Sequence, residues 1–210
     1  MDKNDSLPLG HFFLPDDALY LMKNQIIMKK KIAVHLADGF EEIEAVTIID
    51  VLRRAELDVL VVSVSGNLEV AGAHQLKLIA DLLFEQVNYD DIFMIVLPGG
   101  MPGAANLNVH AGLKLQIGQF NAQNKLLAAI CAAPLVYGNM GILAGKQVVC
   151  YPGFEKYLIG AEILNSPVVE SENMITGRGP AAAIQFALKI VEKAVSLEKA
   201  ELVARQMLVE

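Results

Sequence analysis

Residues 126–134 read Leu126-Leu127-Ala128-Ala129-Ile130-Cys131-Ala132-Ala133-Pro134. An apolar run leads into a cysteine, and small residues follow it together with a proline that suits the first turn of a helix. The pattern predicts a buried strand that delivers the Cys131 thiol to the start of a helix. Backbone N–H groups and the positive end of the helix dipole would favour a thiolate there. Taken alone, the pattern also fits a cysteine that serves only as a small buried residue.

Strands and helices are predicted to alternate on both sides of this segment. Apolar runs predict strands at 32–36, 58–64, 92–97, 126–130, 147–150 and 174–176, and a small hairpin at 68–70 and 76–79. Helical periodicity predicts helices at 41–55, 111–124, 132–140, 181–195 and 197–209. We therefore expect one α/β domain with a doubly wound, mainly parallel sheet and helices on both faces. Chemistry in such sheets lies at the carboxyl ends of strands, here Asp38-Gly39, Gly99-Gly100 and Cys131.

The composition excludes several classes of partner. Of the 210 residues 54% are hydrophobic and none is tryptophan, so small aliphatic residues must build the core, as in sheets covered on both faces. The net charge of −7 argues against binding of nucleic acid through its phosphates. No apolar stretch reaches the roughly 18 residues of a membrane span. We expect neither nucleic acid nor a membrane as a partner.

The two cysteines and the first 27 residues indicate the cellular compartment in which we expect the protein. Cys131 and Cys150 match neither a disulfide framework nor a metal-ligand pattern, so we expect a reducing, cytoplasmic setting with no metal and no cofactor. Cys150 is interpreted as a buried strand residue; a disulfide with Cys131 or a role as resolving thiol are the alternatives. Residues 1–27 lack the order of a secretory signal. We interpret them as an N-terminal extension without chemistry, and residues 28–210 as the domain.

A glycine-rich loop follows the predicted strand at 92–97. It reads Pro98-Gly99-Gly100-Met101-Pro102-Gly103 and matches neither a Walker sequence nor a dinucleotide fingerprint. Paired glycines can bring bare backbone N–H groups close to a substrate. With the N–H of Ala132, those of Gly99 and Gly100 could form an oxyanion hole. A simple tight turn is the other interpretation.

Three acids follow the first predicted strand. We expect Glu41 and Glu42 to be solvated residues in the first turn of a helix, whereas Glu44 lies on a different helix face. A Glu44 carboxyl that faces Cys131 and stays protonated through burial would donate a hydrogen bond to a thiolate. An ionised Glu44 would instead raise the pKa of the thiol by repulsion.

The histidines offer no clear base for the thiol. His35 is predicted to be a core residue of the first strand, and His110 a surface residue. His74 precedes a predicted strand and is expected on an exposed loop, within possible reach of a pocket. A dyad of nucleophile and histidine is therefore not assigned from the pattern.

Four motifs together resemble the ThiJ/PfpI superfamily, in the branch of the parkinsonism-associated deglycase and its bacterial relatives. They are Ala37-Asp38-Gly39-Phe40-Glu41-Glu42-Ile43-Glu44, Val96-Leu97-Pro98-Gly99-Gly100, Ala128-Ala129-Ile130-Cys131-Ala132-Ala133-Pro134 and Gly177-Arg178-Gly179-Pro180. Their order and spacing are those of the family, and the likeness covers about residues 29–209. The resemblance implies a flavodoxin-like sandwich and usually a homodimer.

The resemblance also implies roles for single residues. Cys131 would be a nucleophilic, easily oxidised thiol at a strained strand-to-helix elbow, with Glu44 as its carboxyl partner. Gly100 and Ala132 would supply backbone donors. Arg178 would lie near the pocket. His74 would take a position where relatives often carry an arginine close to the dimer seam.

The chain departs from its relatives beside the predicted pocket. The members best supported as glyoxalases carry a histidine directly before a proline, where this chain has Tyr151 before Pro152. Tyrosine, with an unperturbed pKa near 10, is a poor base at neutral pH. Proton transfer would then fall to Glu44, water or His74. Ala132 takes the place of the histidine that the peptidase-like branch shows, and the His-x-Glu motif of class I amidotransferases is missing.

Three functions remain open from the sequence. In the first, the Cys131 thiolate attacks small reactive carbonyls such as methylglyoxal, or glycated groups, and Glu44 moves the proton. In the second, the protein is a redox sensor or chaperone that works through reversible oxidation of Cys131. In the third it is inert, with an ordinary thiol. Some relatives have been described as thiamine-thiazole biosynthesis proteins, which no phosphate-cradling loop supports here.

Overall fold

The computed structural model describes residues 30–209. The predicted extension over residues 1–27 lies outside the described residues, and its interpretation stays a prediction. The strands are β1 (Lys31–Leu36), β2 (Asp58–Ser63), β3 (Glu69–Ala71), β4 (Lys77–Ile79), β5 (Leu82–Leu83), β6 (Ile92–Leu97), β7 (Leu126–Ile130), β8 (Gln147–Val148), β9 (Glu162–Ile163), β10 (Val168–Ser171) and β11 (Met174–Gly177). The helices are α1 (Glu42–Arg54), α2 (Gly103–Val109), α3 (Ala111–Ala122), α4 (Pro134–Asn139), α5 (Ala183–Ala194) and α6 (Leu197–Gln206).

A seven-stranded sheet forms the centre, in the order β10-β11-β7-β6-β1-β2-β5. Every neighbouring pair runs parallel except β10 and β11, which are antiparallel. Helices α1, α5 and α6 pack together, and so do α2, α3 and α4. These two groups cover the two faces of the sheet. The predicted fold class is therefore confirmed: a flavodoxin-like, mainly parallel sheet between helices, in a single domain.

The central strands are apolar because both of their faces are covered. All of β6 except Phe93 is buried, and so is all of β7 except Leu126. Such strands read as continuous apolar runs rather than as alternating ones. The buried Tyr137 hydroxyl of α4 donates a hydrogen bond to the Ala128 carbonyl of β7 at 3.1 Å, which ties this helix to the strand before it.

Most predicted elements are present, with shifted ends. The small hairpin is confirmed by the antiparallel pair β3–β4. The strand predicted at 147–150 shortens to β8, which pairs with β9 in a sheet of its own. The sequence did not predict β5, β9, β10 or α2, because each is short and carries no sustained apolar period. The helix predicted from residue 132 begins at Pro134, its first-turn proline.

The order of the strands decides where the site lies. β1, β6 and β7 are consecutive neighbours and run parallel, so their carboxyl ends lie at one edge of the sheet. Residues 37–41, the loop at 98–102 and Cys131 follow these three ends. The fold therefore brings together the three segments that carry the candidate residues. No helix within residues 30–209 is long and apolar enough to cross a membrane.

Candidate active site

Cys131 lies at a strained point of the backbone directly after β7. Its φ of 64° is in the left-handed region, which costs an L-residue about 1–3 kcal/mol. Two backbone hydrogen bonds hold it there: its N–H donates to the Gly177 carbonyl at 2.9 Å, and its carbonyl accepts from the Tyr151 N–H at 2.8 Å. The strain and the two bonds fix the direction of the thiol.

Gly99 lets the loop after β6 approach the thiol closely. A Cβ at this position would lie 2.6 Å from Cys131 Cβ and 2.8 Å from Glu44 Oε2, closer than side chains tolerate. The Gly99 N–H donates to Glu44 Oε2 at 2.7 Å. This N–H, predicted as an oxyanion donor, is therefore engaged by the carboxyl of Glu44.

Glu44, in the first turn of α1, is fully buried against Cys131. Burial raises the pKa of its carboxyl to about 7, and the charge of Glu41 adds to the rise, while hydrogen bonds with Gly99 and Cys131 oppose it. The second oxygen, Oε1, has no nitrogen or oxygen partner among residues 30–209. It is therefore the atom that can carry a proton without breaking a hydrogen bond.

The Cys131 thiol is 7% exposed, so it is shielded but reachable. Burial and the neighbouring Glu44 carboxylate raise the pKa of Cys131, whereas the backbone N–H groups of Gly100 and Ala132 lower it. A thiolate and an ionised Glu44 thus disfavour each other. We treat the two groups as one coupled pair that gives up a single proton near neutrality.

The prediction that Glu41 and Glu42 are solvated was wrong, because both are buried. Glu41 caps α1 by accepting from the Glu44 N–H at 2.8 Å, and its own N–H donates to the Gly99 carbonyl. Glu42 accepts hydrogen bonds from both the N–H and Nδ1 of His74. The turn between β3 and β4 folds over this carboxyl, and no local pattern in the sequence indicates that contact.

His74 bonds to Glu42 through both its N–H and its ring. Its side chain is 74% exposed, and its Nδ1 lies 2.8 Å from Glu42 Oε2, which raises the pKa of the imidazole. One oxygen of Glu41, one of Glu42 and a ring nitrogen of His74 lie within 4.8 Å of one another, the spacing of a candidate metal cluster. Both Glu42 oxygens already accept hydrogen bonds from His74, so we interpret the cluster as an ion pair.

A cavity of about 460 Å³ has Tyr151 in one wall, and the Tyr151 N–H donates to the Cys131 carbonyl. Its walls are three prolines, two alanines, a glycine and the ring of Tyr151, and its polar groups come from Arg178 and Gln185. The Tyr151 ring packs over the backbone of Gly179. Arg178 donates to Asn165 Oδ1 at 2.6 Å. The structure thus places Tyr151 and Arg178 together in the lining of one cavity. Sequence reasoning did not find Asn165 and Gln185.

Two further candidates, Cys150 and His35, are both buried. Cys150 is a buried free thiol whose pKa burial raises to about 11, with the charge of Glu155 adding to the rise. His35 is fully buried, as predicted for a core residue, and its Nε2 lies 2.7 Å from the Tyr89 hydroxyl. Burial lowers the pKa of His35 to about 3, so it stays neutral.

Comparisons with known proteins identify the family of this chain. Residues 30–193 match the family model described as the DJ-1/PfpI family. The chain belongs to the DJ-1/PfpI family. The predicted resemblance to the ThiJ/PfpI superfamily, DJ-1 branch, is thereby confirmed.

DJ-1 relatives match most of the chain. The Toxoplasma gondii structure described as DJ-1, oxidized, has a TM-score of 0.82 and 39% identity, covering 85% of this chain and 98% of that one. The Arabidopsis thaliana protein DJ-1 homolog B is 39% identical over 81% of this chain, which spans 40% of that protein. The Schizosaccharomyces pombe protein named glutathione-independent glyoxalase DJ-1 is 30% identical over 80% of this chain and 93% of its own length.

The raised pKa of Glu44 predicts a pH-dependent stability. Between about pH 4.5 and about pH 7 the folded protein binds more protons than the unfolded chain, so the free energy of unfolding falls as the pH rises. The fall should total about 3 kcal/mol, from 1.36 kcal/mol per pKa unit. Urea unfolding across this range should show it in the wild type and not in Glu44→Gln.

The exposed Glu201 provides the matched control, because Glu201→Gln should keep the slope of the wild type. Stability that rises through this pH range, or an equal slope in Glu44→Gln, would contradict the assignment.

Proposed function

We propose that this DJ-1 family protein is a cysteine-dependent enzyme that acts on small reactive carbonyls or glycated groups, with Cys131 as nucleophile and Glu44 as proton carrier. One observation carries the proposal. A cysteine at positive φ contacts a fully buried carboxyl whose pKa is raised to about 7. Buried acids with raised pKa values are suited to proton transfer at neutral pH.

The hydrogen-bond donors favour a negative charge on sulfur. A Cys131 thiolate would receive the N–H groups of Gly100 and Ala132 and the hydrogen bond that joins it to a protonated Glu44. A Glu44 carboxylate would receive only the Gly99 N–H and the thiol proton. The thiolate would thus have three hydrogen-bond donors and the carboxylate two. This difference supports the state in which Glu44 holds the proton and Cys131 is the thiolate.

The reaction then follows from this arrangement. The thiolate adds to the aldehyde carbon of methylglyoxal, and Glu44 gives its proton to the new alkoxide, which forms a hemithioacetal. The Glu44 carboxylate next removes the proton from that carbon and returns it to the neighbouring carbonyl carbon, while the hydroxyl proton passes to the other oxygen, leaving the thioester of a 2-hydroxy acid. Water hydrolyses the thioester, gives a proton to Glu44, and releases lactate and the thiolate. The sum is methylglyoxal plus water to lactate.

Two further points support this assignment. The similar Schizosaccharomyces pombe protein is named a glutathione-independent glyoxalase. In this chain the Tyr151 ring packs over Gly179 and His74 pairs with Glu42, so neither is placed as a base for the thiol. Among the titratable side chains considered, Glu44 is the one in contact with Cys131.

Lactate formation from methylglyoxal tests the reaction. The wild type should form lactate above a buffer blank, and Cys131→Ser should abolish it. Glu44→Gln should lower kcat by about 100-fold or more, the usual loss when a general acid–base is removed. Cys150→Ser is the matched control and should retain turnover. No lactate from the wild type, or full turnover in Cys131→Ser, would refute the proposal.

A redox sensor is the second candidate, and the donor set around sulfur favours it. The N–H groups of Gly100 and Ala132 would also hold the oxygens of an oxidised Cys131. A first peroxide would transfer one oxygen to the thiolate, forming sulfenic acid and hydroxide, and a second would give sulfinic acid and water. The similar Toxoplasma gondii structure is described as oxidized. A reducing, cytoplasmic setting would keep Cys131 reactive beforehand.

Peroxide oxidation of the two thiols tests this candidate. Cys150, with its pKa raised to about 11 by burial, should be the poorer target. Intact mass and peptide mapping after limited hydrogen peroxide should locate added oxygen on Cys131. Equal oxidation of both cysteines would remove the basis of the sensor.

We also propose that the protein is a homodimer. An apolar surface patch consists of Ile43 and Val46 on α1, Leu76 beside β4, and Ile79 on β4, which are 48–66% exposed. Val46 and Ile79 line the same surface depression. Exposed apolar patches of this kind mark interfaces between proteins.

The dimer is tested by the mass in solution. Light scattering after size exclusion should give about twice the chain mass for the wild type and the monomer mass for Ile79→Glu, because the new carboxylate would be buried unpaired. Leu115→Glu, at an exposed position on α3 outside the patch, should stay dimeric. A monomeric wild type would contradict the proposal.

A further inference from the structure

The cavity lined by Tyr151 and Arg178 is not used by the reaction proposed above. Methylglyoxal needs only the thiol, Glu44 and the backbone donors. The cavity of about 460 Å³ has the size of a ligand pocket and mainly apolar walls. Its position is fixed relative to the thiol, because the Tyr151 N–H donates to the Cys131 carbonyl and the Cys131 N–H to the Gly177 carbonyl.

Arg178 gives the cavity its only full charge. One arm of the guanidinium donates to Asn165 Oδ1, and within residues 30–209 no carboxylate pairs with it. The other guanidinium N–H groups have the geometry to bind a carboxylate in a bidentate manner. A cation beside apolar walls is complementary to an apolar group that ends in a negative charge.

We propose that this cavity is a subsite for the body of the substrate, and that it selects carbonyl compounds whose apolar group ends in a carboxylate. Tyr151 then acts as a wall of the subsite, which gives a role to the residue that replaces the family histidine. The inference deepens the proposed function and rests on it for the reaction. Binding in the cavity does not depend on turnover.

The negative net charge of the chain makes the proposed preference for an anionic substrate a sharp test. The chain carries −7, and the buried Glu44 lies against the thiol. These charges disfavour an anionic reagent at Cys131. A preference for an anionic over a neutral reagent therefore requires a local cation, and Arg178 is the cation that lines the cavity.

Two alkylating reagents of the same reactivity class test the subsite without any turnover. Iodoacetanilide and 4-(iodoacetamido)benzoate both give up iodide to the Cys131 thiolate and form a carbon–sulfur bond. They differ only in the carboxylate on the ring. Each rate, followed by intact mass, is divided by the iodoacetamide rate of the same variant, which corrects for changes in the thiol itself.

The benzoate reagent should react at least about fivefold faster than iodoacetanilide with the wild type, as a charge-assisted hydrogen bond in a partly exposed site allows. Arg178→Gln should reduce this ratio to one or below. Arg205→Gln, on the exposed face of α6, should keep the wild-type ratio. Ala181→Phe, which fills the cavity from an exposed position, should slow both aryl reagents relative to iodoacetamide.

Equal rates of the two reagents with the wild type would overturn the proposal, and this is also the result expected if a second copy of the chain covered the cavity. An unchanged ratio in Arg178→Gln would overturn it as well. Failure of the proposed function looks different, because lactate formation would be missing while the ratio persisted.

Discussion

In the proposed mechanism, one proton shared between Glu44 and Cys131 governs the chemistry of this protein. Both groups are buried at the carboxyl edge of the sheet, burial raises the pKa of each, and the Glu44 carboxylate raises the pKa of the Cys131 thiol further. The site can hold one negative charge near neutrality. The position of that charge decides between a nucleophile and an inert thiol, so the proposed turnover and the proposed oxidation depend on the same equilibrium.

The rest of the structure keeps this pair in place. The strained backbone of Cys131 is clamped by hydrogen bonds to Gly177 and Tyr151, which belong to segments far along the chain. Because Gly99 has no side chain, the Cys131 thiol and the Glu44 carboxyl can approach each other. The left-handed backbone of Cys131 and the buried acid Glu44 both destabilise the fold, which is common at functional sites.

Local patterns in the sequence predicted the parts of the site that local chemistry determines. Three such parts were predicted: the apolar run before Cys131, the paired glycines Gly99-Gly100, and the acid Glu44 on α1. The order of the strands in the sheet brings them together. Long-range contacts were not predictable. His74 pairs with Glu42, and Tyr151 and Arg178 line one cavity, although the members of each pair are distant in sequence. Hydrophobic periodicity does not indicate such contacts.

The pH dependence of iodoacetamide alkylation at Cys131 tests the position of the charge most directly. If Glu44 holds the proton, the rate should rise with an apparent pKa at or below about 7, and Glu44→Leu should shift it upward by removing a donor. If Glu44 is ionised, labelling should stay slow up to the ordinary thiol pKa near 8.5, and Glu44→Leu should accelerate it by removing a repelling charge. The second result would contradict the account.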